Sequence, residues 1–203
     1  MPLAKGIRSP REEHPMAKAV GISGSPRRAG NSATLLRAAL QGAAAAGAET
    51  ALVHLNDLTY RGCQGCADCG QGGECTLQDE LTPVFAALRE ADVWLLASPI
   101  YHDGLSGQFK GFFDRCAAWE GQNRLPGKRR AAMIITYMDK RREDYLRVAR
   151  TVPFYLGWMG DFGEVPVLDG AELGPADAAA ARADLLAEAE ALGRGLVEEL
   201  GRR

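Results

Sequence analysis

The chain has 203 residues, of which 25% are charged, and its formal net charge is -2 at neutral pH. This length predicts one domain with a substantial core, and the charge argues against nucleic-acid binding as the main role. No apolar run approaches the roughly 18 residues of a membrane helix, and residues 1–15 lack the apolar stretch of a secretory signal, so we expect a disordered N-terminal tail and a cytoplasmic location.

Strand-like and helix-like patterns alternate along the chain. The predicted strands are short apolar runs at Ala19–Ser23, Ala51–Leu55, Val93–Ser98, Ala131–Tyr137 and Gly163–Leu168. Helical spacing predicts helices between them, including one from Arg142 to Gly157 broken near Pro153 and a last one from Pro175 to Leu200. Five strand–helix units predict an α/β fold, a doubly wound sheet of five parallel strands in the order 2-1-3-4-5 with helices on both faces. Such a sheet binds ligands at the carboxyl ends of strands 1 and 3.

A loop of small and hydroxyl-bearing residues joins the first predicted strand to the first predicted helix. It reads S-G-S-P-R-R-A-G-N-S from Ser23 to Ser32. The unpaired N–H groups and the dipole of a helix start make such a turn an anion site. The glycine spacing matches neither a Walker A loop nor the G-x-G-x-x-G fingerprint. A hydroxyl-rich loop without the P-loop lysine suits a monophosphate such as that of FMN.

A second informative segment follows the third predicted strand. It reads S-P-I-Y-H-D-G-L-S-G-Q-F-K-G-F-F-D-R from Ser98 to Arg115. Together with the first loop, this segment resembles the NADPH-dependent FMN reductase family, most closely its iron-sulfur flavoprotein and multimeric-flavodoxin branch. The resemblance covers residues 17–116 well and the C-terminal half in outline. It implies a flavodoxin-like FMN-binding domain over residues 16–203 and an NAD(P)H-dependent oxidoreductase.

The resemblance also implies roles for individual residues. Those that match the loop around the FMN phosphate are Ser23, Ser25, Arg27, Asn31 and Ser32. Those that match the loop beside the isoalloxazine ring are Pro99, Ile100, Tyr101, His102 and Gly104. Tyr101 and His102 are the candidate catalytic residues. The family's third, glycine-rich flavin loop is replaced here by T-Y-M-D-K-R-R at 136–142, so the far side of the ring has no assigned residue.

Four cysteines lie close together in a glycine-rich loop at 62–76, namely Cys63, Cys66, Cys69 and Cys75. A compact triple followed by a fourth cysteine is closer to [4Fe–4S] ligation than to the paired knuckles of zinc sites. The spacing also resembles the cysteine motif of iron-sulfur flavoproteins. A cluster, a zinc ion and thiols or a dithiol pair all stay open. We expect this loop at the ligand edge of the sheet, beside the first loop.

The expected function is transfer of electrons through FMN from NAD(P)H or a one-electron donor to a small acceptor, which is a quinone, a flavin or an oxygen species. Two other classes stay open, an electron carrier without turnover and a cysteine-based redox or metal sensor. The expected partners are the acceptor and a ferredoxin, and the expected assembly is a homodimer or homotetramer. Cys116 is predicted to be a core residue. The basic runs at 128–130 and 140–142 are interpreted as solvated strand ends, and contact of one of them with the 2′-phosphate of NADPH stays open as an alternative.

Overall fold

The computed structural model describes residues 16–66, 69 and 74–201, so the predicted tail at 1–15 lies outside the described residues. The strands are β1 (Lys18–Ser23), β2 (Glu49–His54), β3 (Val93–Tyr101), β4 (Gly104–Leu105), β5 (Arg130–Thr136) and β6 (Val167–Gly170). The helices are α1 (Asn31–Ala45), α2 (Thr82–Glu90), α3 (Gly107–Arg115), α4 (Arg142–Ala149), α5 (Thr151–Met159) and α6 (Ala183–Gly201). Short 3₁₀ turns lie at Leu55–Asp57, Cys116–Trp119, Gly121–Asn123 and Ala178–Ala181.

The parallel strands form one sheet in the order β2-β1-β3-β5-β6. Since β4 is a short antiparallel extension of β3, this is the predicted order 2-1-3-4-5 of the parallel strands. The prediction of a doubly wound, flavodoxin-like fold is therefore confirmed. Ser23 of β1 lies level with His54 of β2 and Ala97 of β3. The chain winds away from β1 in both directions, which opens a crevice at the carboxyl ends of β1 and β3.

Helices cover both faces of the sheet, and the central strand shows why its sequence is continuously apolar. Trp94 and Leu96 of β3 belong to the core layer under α2, α3 and α5. Leu95 and Ala97 belong to the layer under α1 and α6. All four side chains are fully buried, as expected for a strand that contacts helices on both sides.

The first and last helices approach each other through glycine. A Cβ atom added at Gly42 would lie 1.8 Å from the carbonyl oxygen of Glu190, and one added at Gly193 would lie 1.8 Å from that of Ala39. A side chain at either position would force the helices apart. The position of α1 against the sheet therefore depends on α6.

Several predicted boundaries differ from the structure. β3 continues past Ser98 to Tyr101, because its end pairs with β4 in a hairpin. The helix predicted from Arg142 breaks at Arg150, since Pro153 lies in the first turn of α5, where its missing N–H costs no helical bond. β6 lies four residues later at its start than predicted, and α6 begins only at Ala183. In the part of the chain that the structure describes, no helix has the length and apolarity needed to span a bilayer.

Candidate active site

A cleft of about 290 Å³ opens at the carboxyl ends of β1, β3 and β5. The loop between β1 and α1 forms one wall, the ends of β3 and β5 form another, and the segment after β6 closes a third side. The residues that line it are Ser25, Arg27, Gly30, Asn31, Ser32, Pro99, Ile100, Tyr101, Thr136, Tyr137, Met138, Leu173, Gly174 and Ala176. The structure thus gathers residues of both predicted loops at the predicted edge of the sheet.

The N-terminus of α1 lies at this cleft and has no side-chain cap. The N–H of Thr34 donates to the carbonyl oxygen of Gly30 at 2.9 Å. The N–H groups of Asn31, Ser32 and Ala33 precede it, and donors of a first helical turn have no carbonyl partner within their own helix. Together with the helix dipole, these donors form a site for an anion.

The loop before α1 folds back on itself to leave room for that anion. The hydroxyl of Ser25 accepts a hydrogen bond from the N–H of Arg27 at 3.2 Å, and the N–H of Gly30 donates to the carbonyl of Arg27 at 3.1 Å. A Cβ atom at Gly30 would lie 3.0 Å from Ser25 Oγ and 3.1 Å from Arg27 Cβ. The turn is therefore closed around a backbone position that only glycine fills without a shift. Arg27 extends its exposed side chain at the rim, while Ser23 is fully buried below and does not line the cleft.

Asn31 and Ser32 bind other parts of the protein through their side chains. The Asn31 amide donates to the carbonyl oxygens of Leu173 at 3.0 Å and Pro175 at 2.7 Å, and its oxygen accepts from the N–H of Ala179 at 2.9 Å. The Ser32 hydroxyl lies 2.6 Å from that of Thr136 at the end of β5. In this arrangement Asn31 positions the segment after β6, and its backbone N–H remains for an anion.

The predicted ring-side segment is a strand end and a tight hairpin. Tyr101 pairs with Gly104 across a two-residue turn, in which His102 and Asp103 both have positive φ angles, 48° and 57°. This is the backbone of a hairpin turn that normally favours glycine or asparagine. The ring of Tyr101 is 45% exposed at the cleft, whereas His102 and Gly104 do not line it.

Buried serines join the two loops that form the cleft. The Ser106 hydroxyl caps α3 by accepting from the N–H of Phe109 at 3.2 Å and donates to the carbonyl of Gly24 at 2.7 Å. The N–H of Gly24 in turn donates to the carbonyl of Ala97 at 2.8 Å. A Cβ atom at Gly24 would lie 2.6 Å from that of Phe109. The sequence analysis missed Ser106, although a serine one residue before a helix start is an N-cap signal.

A second cavity of about 430 Å³, which we call the outer cavity, adjoins the cleft. The two share Ile100, Tyr101, Tyr137 and Met138, and the outer cavity adds His102, Asp103, Asp139, Arg141 and Tyr145. Arg141 lies 2.7 Å from the carboxylate of Asp103, and so ties the hairpin tip to the loop before α4. His102, a predicted catalytic residue, therefore lies beside the outer cavity rather than the cleft.

Tyr137 and Met138 lie in the segment 136–142, to which the sequence assigned no contact with the flavin ring, and both line the cleft. Met138 is 74% exposed and Tyr137 is buried. Burial, followed by the nearby carboxylate of Asp169, raises the pKa of Tyr137 well above that of an ordinary tyrosine. The Tyr137 hydroxyl thus keeps its proton throughout the neutral range.

The four cysteines of the glycine-rich loop line one small cavity, which we call the cysteine cavity. Its other lining residues are Gln64, Thr76, Leu77, Asp114 and Arg115. The donor set of four thiols matches the ligand chemistry of an iron–sulfur cluster. Among the described residues, no three side chains of cysteine, histidine, aspartate or glutamate are grouped as they are around a single metal ion.

The cysteine cavity does not lie beside the first loop as predicted. The segment after β2 begins beside the first loop, where Asp57 forms an ion pair with Arg28 at 2.9 Å. It then turns back along α3, where the Tyr60 hydroxyl donates to the carbonyl of Gln108 at 2.6 Å. The cavity lies at the Arg115 end of α3, about 12 Å along the helix from Gly107 at the cleft side.

Three other predictions concern residues outside the cleft. Cys116 is fully buried in the core, as predicted, and burial raises the pKa of its thiol. Arg129 of the basic run at 128–130 is buried rather than solvated, because its guanidinium donates to the carbonyl oxygens of Ala91 and Arg89. The run at 140–142 is exposed, as predicted, and Arg141 within it pairs with Asp103.

The residues that line the cleft are chemically suited to FMN. The uncapped start of α1 and the turn at Gly30 suit a phosphate, and the aromatic side chains of Tyr101 and Tyr137 line the same cleft. Ligand pockets in proteins start at about 300 Å³, and the adjoining outer cavity leaves room for a second molecule.

Comparison with solved structures agrees with the fold described above. The RosB structure with bound 8-demethyl-8-formylriboflavin-5'-phosphate superposes with a TM-score of 0.67 at 21% identity, over 92% of this chain and 81% of that one. The NAD(P)H:quinone oxidoreductase from Methanothermobacter marburgensis superposes with a TM-score of 0.61 at 16% identity, over 89% of this chain and 99% of that one. At these identities the two structures support the fold.

Sequence relatives and a family model were compared with the chain. An iron-sulfur flavoprotein from Archaeoglobus fulgidus is 36% identical over 118 residues, which are 58% of this chain and 54% of that protein. Another, from Methanosarcina thermophila, is 28% identical over 158 residues, which are 77% of this chain and 80% of that protein. The chain spans about half the length of the first of these relatives. The family model of the NADPH-dependent FMN reductases matches residues 17–159, and the chain belongs to that family.

Proposed function

We propose that the chain is an FMN-dependent oxidoreductase that passes electrons from NAD(P)H or a one-electron donor to a small acceptor, which is a quinone, a flavin or an oxygen species. The observation that carries this proposal is the cleft, which has an anion site at the start of α1 and aromatic side chains across from it. Bound FMN supplies both hydride acceptance and release of single electrons.

Each wall of the cleft has a separate task in this proposal. The N–H groups at the start of α1 and the guanidinium of Arg27 bind the phosphate. Tyr101 and Tyr137 orient the ring, and Tyr137 keeps a proton on its hydroxyl oxygen because its pKa is raised. The outer cavity, bounded by His102 and Arg141, receives the donor or acceptor in turn.

The cysteine cavity belongs to the same proposal. Cys63, Cys66, Cys69 and Cys75 would hold a [4Fe–4S] cluster, which supplies one-electron transfer. The names of the curated relatives and the grouping of four thiols around one cavity support this assignment. A homodimer or homotetramer is proposed on the exposed aromatic patch of α5, where the rings of Phe154 and Trp158 contact each other at 5.3 Å.

Two adjacent arginines test the phosphate site. Arg27 lines the cleft, whereas its neighbour Arg28 pairs with Asp57 outside it. Arg27→Ala should weaken FMN at least tenfold, since a hydrogen bond to a charged group contributes about 1.5–3 kcal/mol. The same variant should keep its affinity for riboflavin, which has no phosphate. Arg28→Ala should change the affinity for neither flavin. An equal loss of affinity for FMN and riboflavin would contradict the assignment of Arg27 to the phosphate.

Rapid mixing of the FMN-loaded protein with NADPH, NADH or reduced ferredoxin tests the reaction class. Bleaching of the flavin followed by reoxidation with a quinone supports the oxidoreductase. Bleaching without turnover of any acceptor supports the electron carrier instead. If the protein binds no flavin at all, the result supports the cysteine-based sensor.

A further inference from the structure

The last residue of α3 clasps the two ends of the cysteine loop. Arg115 has a fully buried side chain. One of its terminal nitrogens donates to the carbonyl oxygen of Arg61 at 3.2 Å, and the other donates to that of Leu77 at 3.0 Å. Arg61 lies two residues before Cys63, and Leu77 lies two residues after Cys75. One guanidinium thus joins the backbone just before Cys63 to the backbone just after Cys75.

An aspartate completes this clasp. The nitrogen of Arg115 that reaches Arg61 also lies 2.6 Å from the carboxylate of Asp79. The same carboxylate accepts a hydrogen bond from the N–H of Arg61 at 3.1 Å. Both sides of the loop are therefore fixed to α3 by charged hydrogen bonds, and those made by Arg115 are partly buried. Hydrogen bonds to charged groups are stronger than those between neutral groups.

The clasp also brings a positive charge to the cysteine cavity. Among the described residues that line this cavity, Arg115 carries the only positive charge. Its Nε–H is buried and has no hydrogen-bond partner in the described part of the chain. Buried donors without a partner are rare, and a metal-bound thiolate sulfur would accept from it. Net charge and hydrogen bonds to sulfur set the reduction potential of an iron–sulfur cluster.

We propose that Arg115 is the positioning residue of the cysteine loop, which it holds closed before any metal binds, and that its charge and its Nε–H favour an anionic, thiolate-bound centre. The electrostatic half of this proposal rests on the proposed cluster. The loop-closing half stands on contacts within the chain alone.

Three variants separate the two halves. Arg115→Gln removes the charge and most of the clasp, and Arg115→Lys keeps the charge without the fork that reaches both carbonyls. Arg129→Gln is the matched control, since Arg129 is also buried, donates to two backbone carbonyls and has an unpartnered Nε, but does not line the cysteine cavity.

The first measurement is cleavage of the metal-free protein by proteinase K, with the sites mapped by mass spectrometry. Cleavage within residues 61–77 should be about tenfold faster in both Arg115 variants than in the wild type, because cleavage follows the population of the open loop. It should be unchanged in Arg129→Gln. Equal cleavage in wild type and Arg115→Lys overturns the loop-closing role, even if Arg115→Gln does not fold.

The second measurement follows anaerobic reconstitution with iron and sulfide. The reduction potential should be lower in Arg115→Gln than in the wild type and close to the wild-type value in Arg115→Lys, with FMN content unchanged in all. Potentials that are equal in wild type and Arg115→Gln overturn the electrostatic role. If the wild type takes up no iron and sulfide, the cluster of the proposed function fails and the electrostatic half fails with it, while the cleavage result still decides the loop-closing half.

Discussion

Replacement of Asn31 by alanine separates two roles for this residue. The sequence motif assigns its side chain to the FMN phosphate, whereas the structure shows that side chain bound to Leu173, Pro175 and Ala179. Loss of three hydrogen bonds of about 0.5–1.5 kcal/mol each should lower the free energy of unfolding by about 3 kcal/mol. For a chain of this length, each kcal/mol shifts Tm by about 2–4 °C, so we expect Tm to fall by about 6–12 °C.

The assay is thermal unfolding of the flavin-free protein, followed by titration with FMN. The flavin-free Asn31→Ala variant should already show the lower Tm, because the lost bonds are internal. Asn123→Ala is the control, since Asn123 is half-buried in the turn at 121–123 and does not line the cleft. If Tm of the flavin-free variant is unchanged but FMN binds more weakly, the side chain contacts the phosphate directly and our interpretation of Asn31 is refuted.

Two further predictions concern the cleft. Gly30→Ala should weaken FMN severalfold, because the new Cβ would crowd Ser25 and Arg27, whereas Gly104→Ala, whose Cβ would meet only the carbonyl of Tyr101 at 3.7 Å, should leave binding unchanged; equal affinities in fluorescence titration would contradict the packing at Gly30. Since the pKa of Tyr137 is raised in the folded protein, the unfolded chain loses this proton first, and stability should fall as pH rises past about 10, the usual tyrosine value. Between pH 8 and 11, Tm should fall less in Tyr137→Phe than in the wild type. An identical fall of Tm with pH in the two proteins would contradict this prediction.

The strands of the sheet were predictable because a strand that is buried on both faces has apolar residues at successive positions. The run from Val93 to Ala97 is apolar throughout, and so is the run within β5, and the alternation of strands with helices predicts a parallel, doubly wound sheet. The exact ends of elements were not predictable in this way. β3 extends to Tyr101 only because β4 returns to pair with it, and α5 starts before Pro153 only because the helical path breaks at Arg150.

Within the site, the sequence predicted which loops meet but not which atoms do. Motif matching selected Ser25 and Arg27, and both line the cleft, while their contact with a phosphate stays a prediction. It could not assign Thr136 or the partners of Asn31, since those contacts join residues more than 100 positions apart. The contacts of Arg115 with both ends of the cysteine loop could not be predicted, because they join residues 38 and 54 positions apart.

The bonds of Asn31 also bear on how the protein is made. The helix that begins at Asn31 leaves the ribosome before its partners do, because the carbonyl groups that Asn31 contacts belong to residues synthesised more than 140 positions later. At about 5–20 residues per second, this interval is roughly 7–30 s. The glycine contact between α1 and α6 is completed later still. The helix that begins at Asn31 is thus synthesised well before the segment that follows β6, and the cleft between them closes only after that segment has been made.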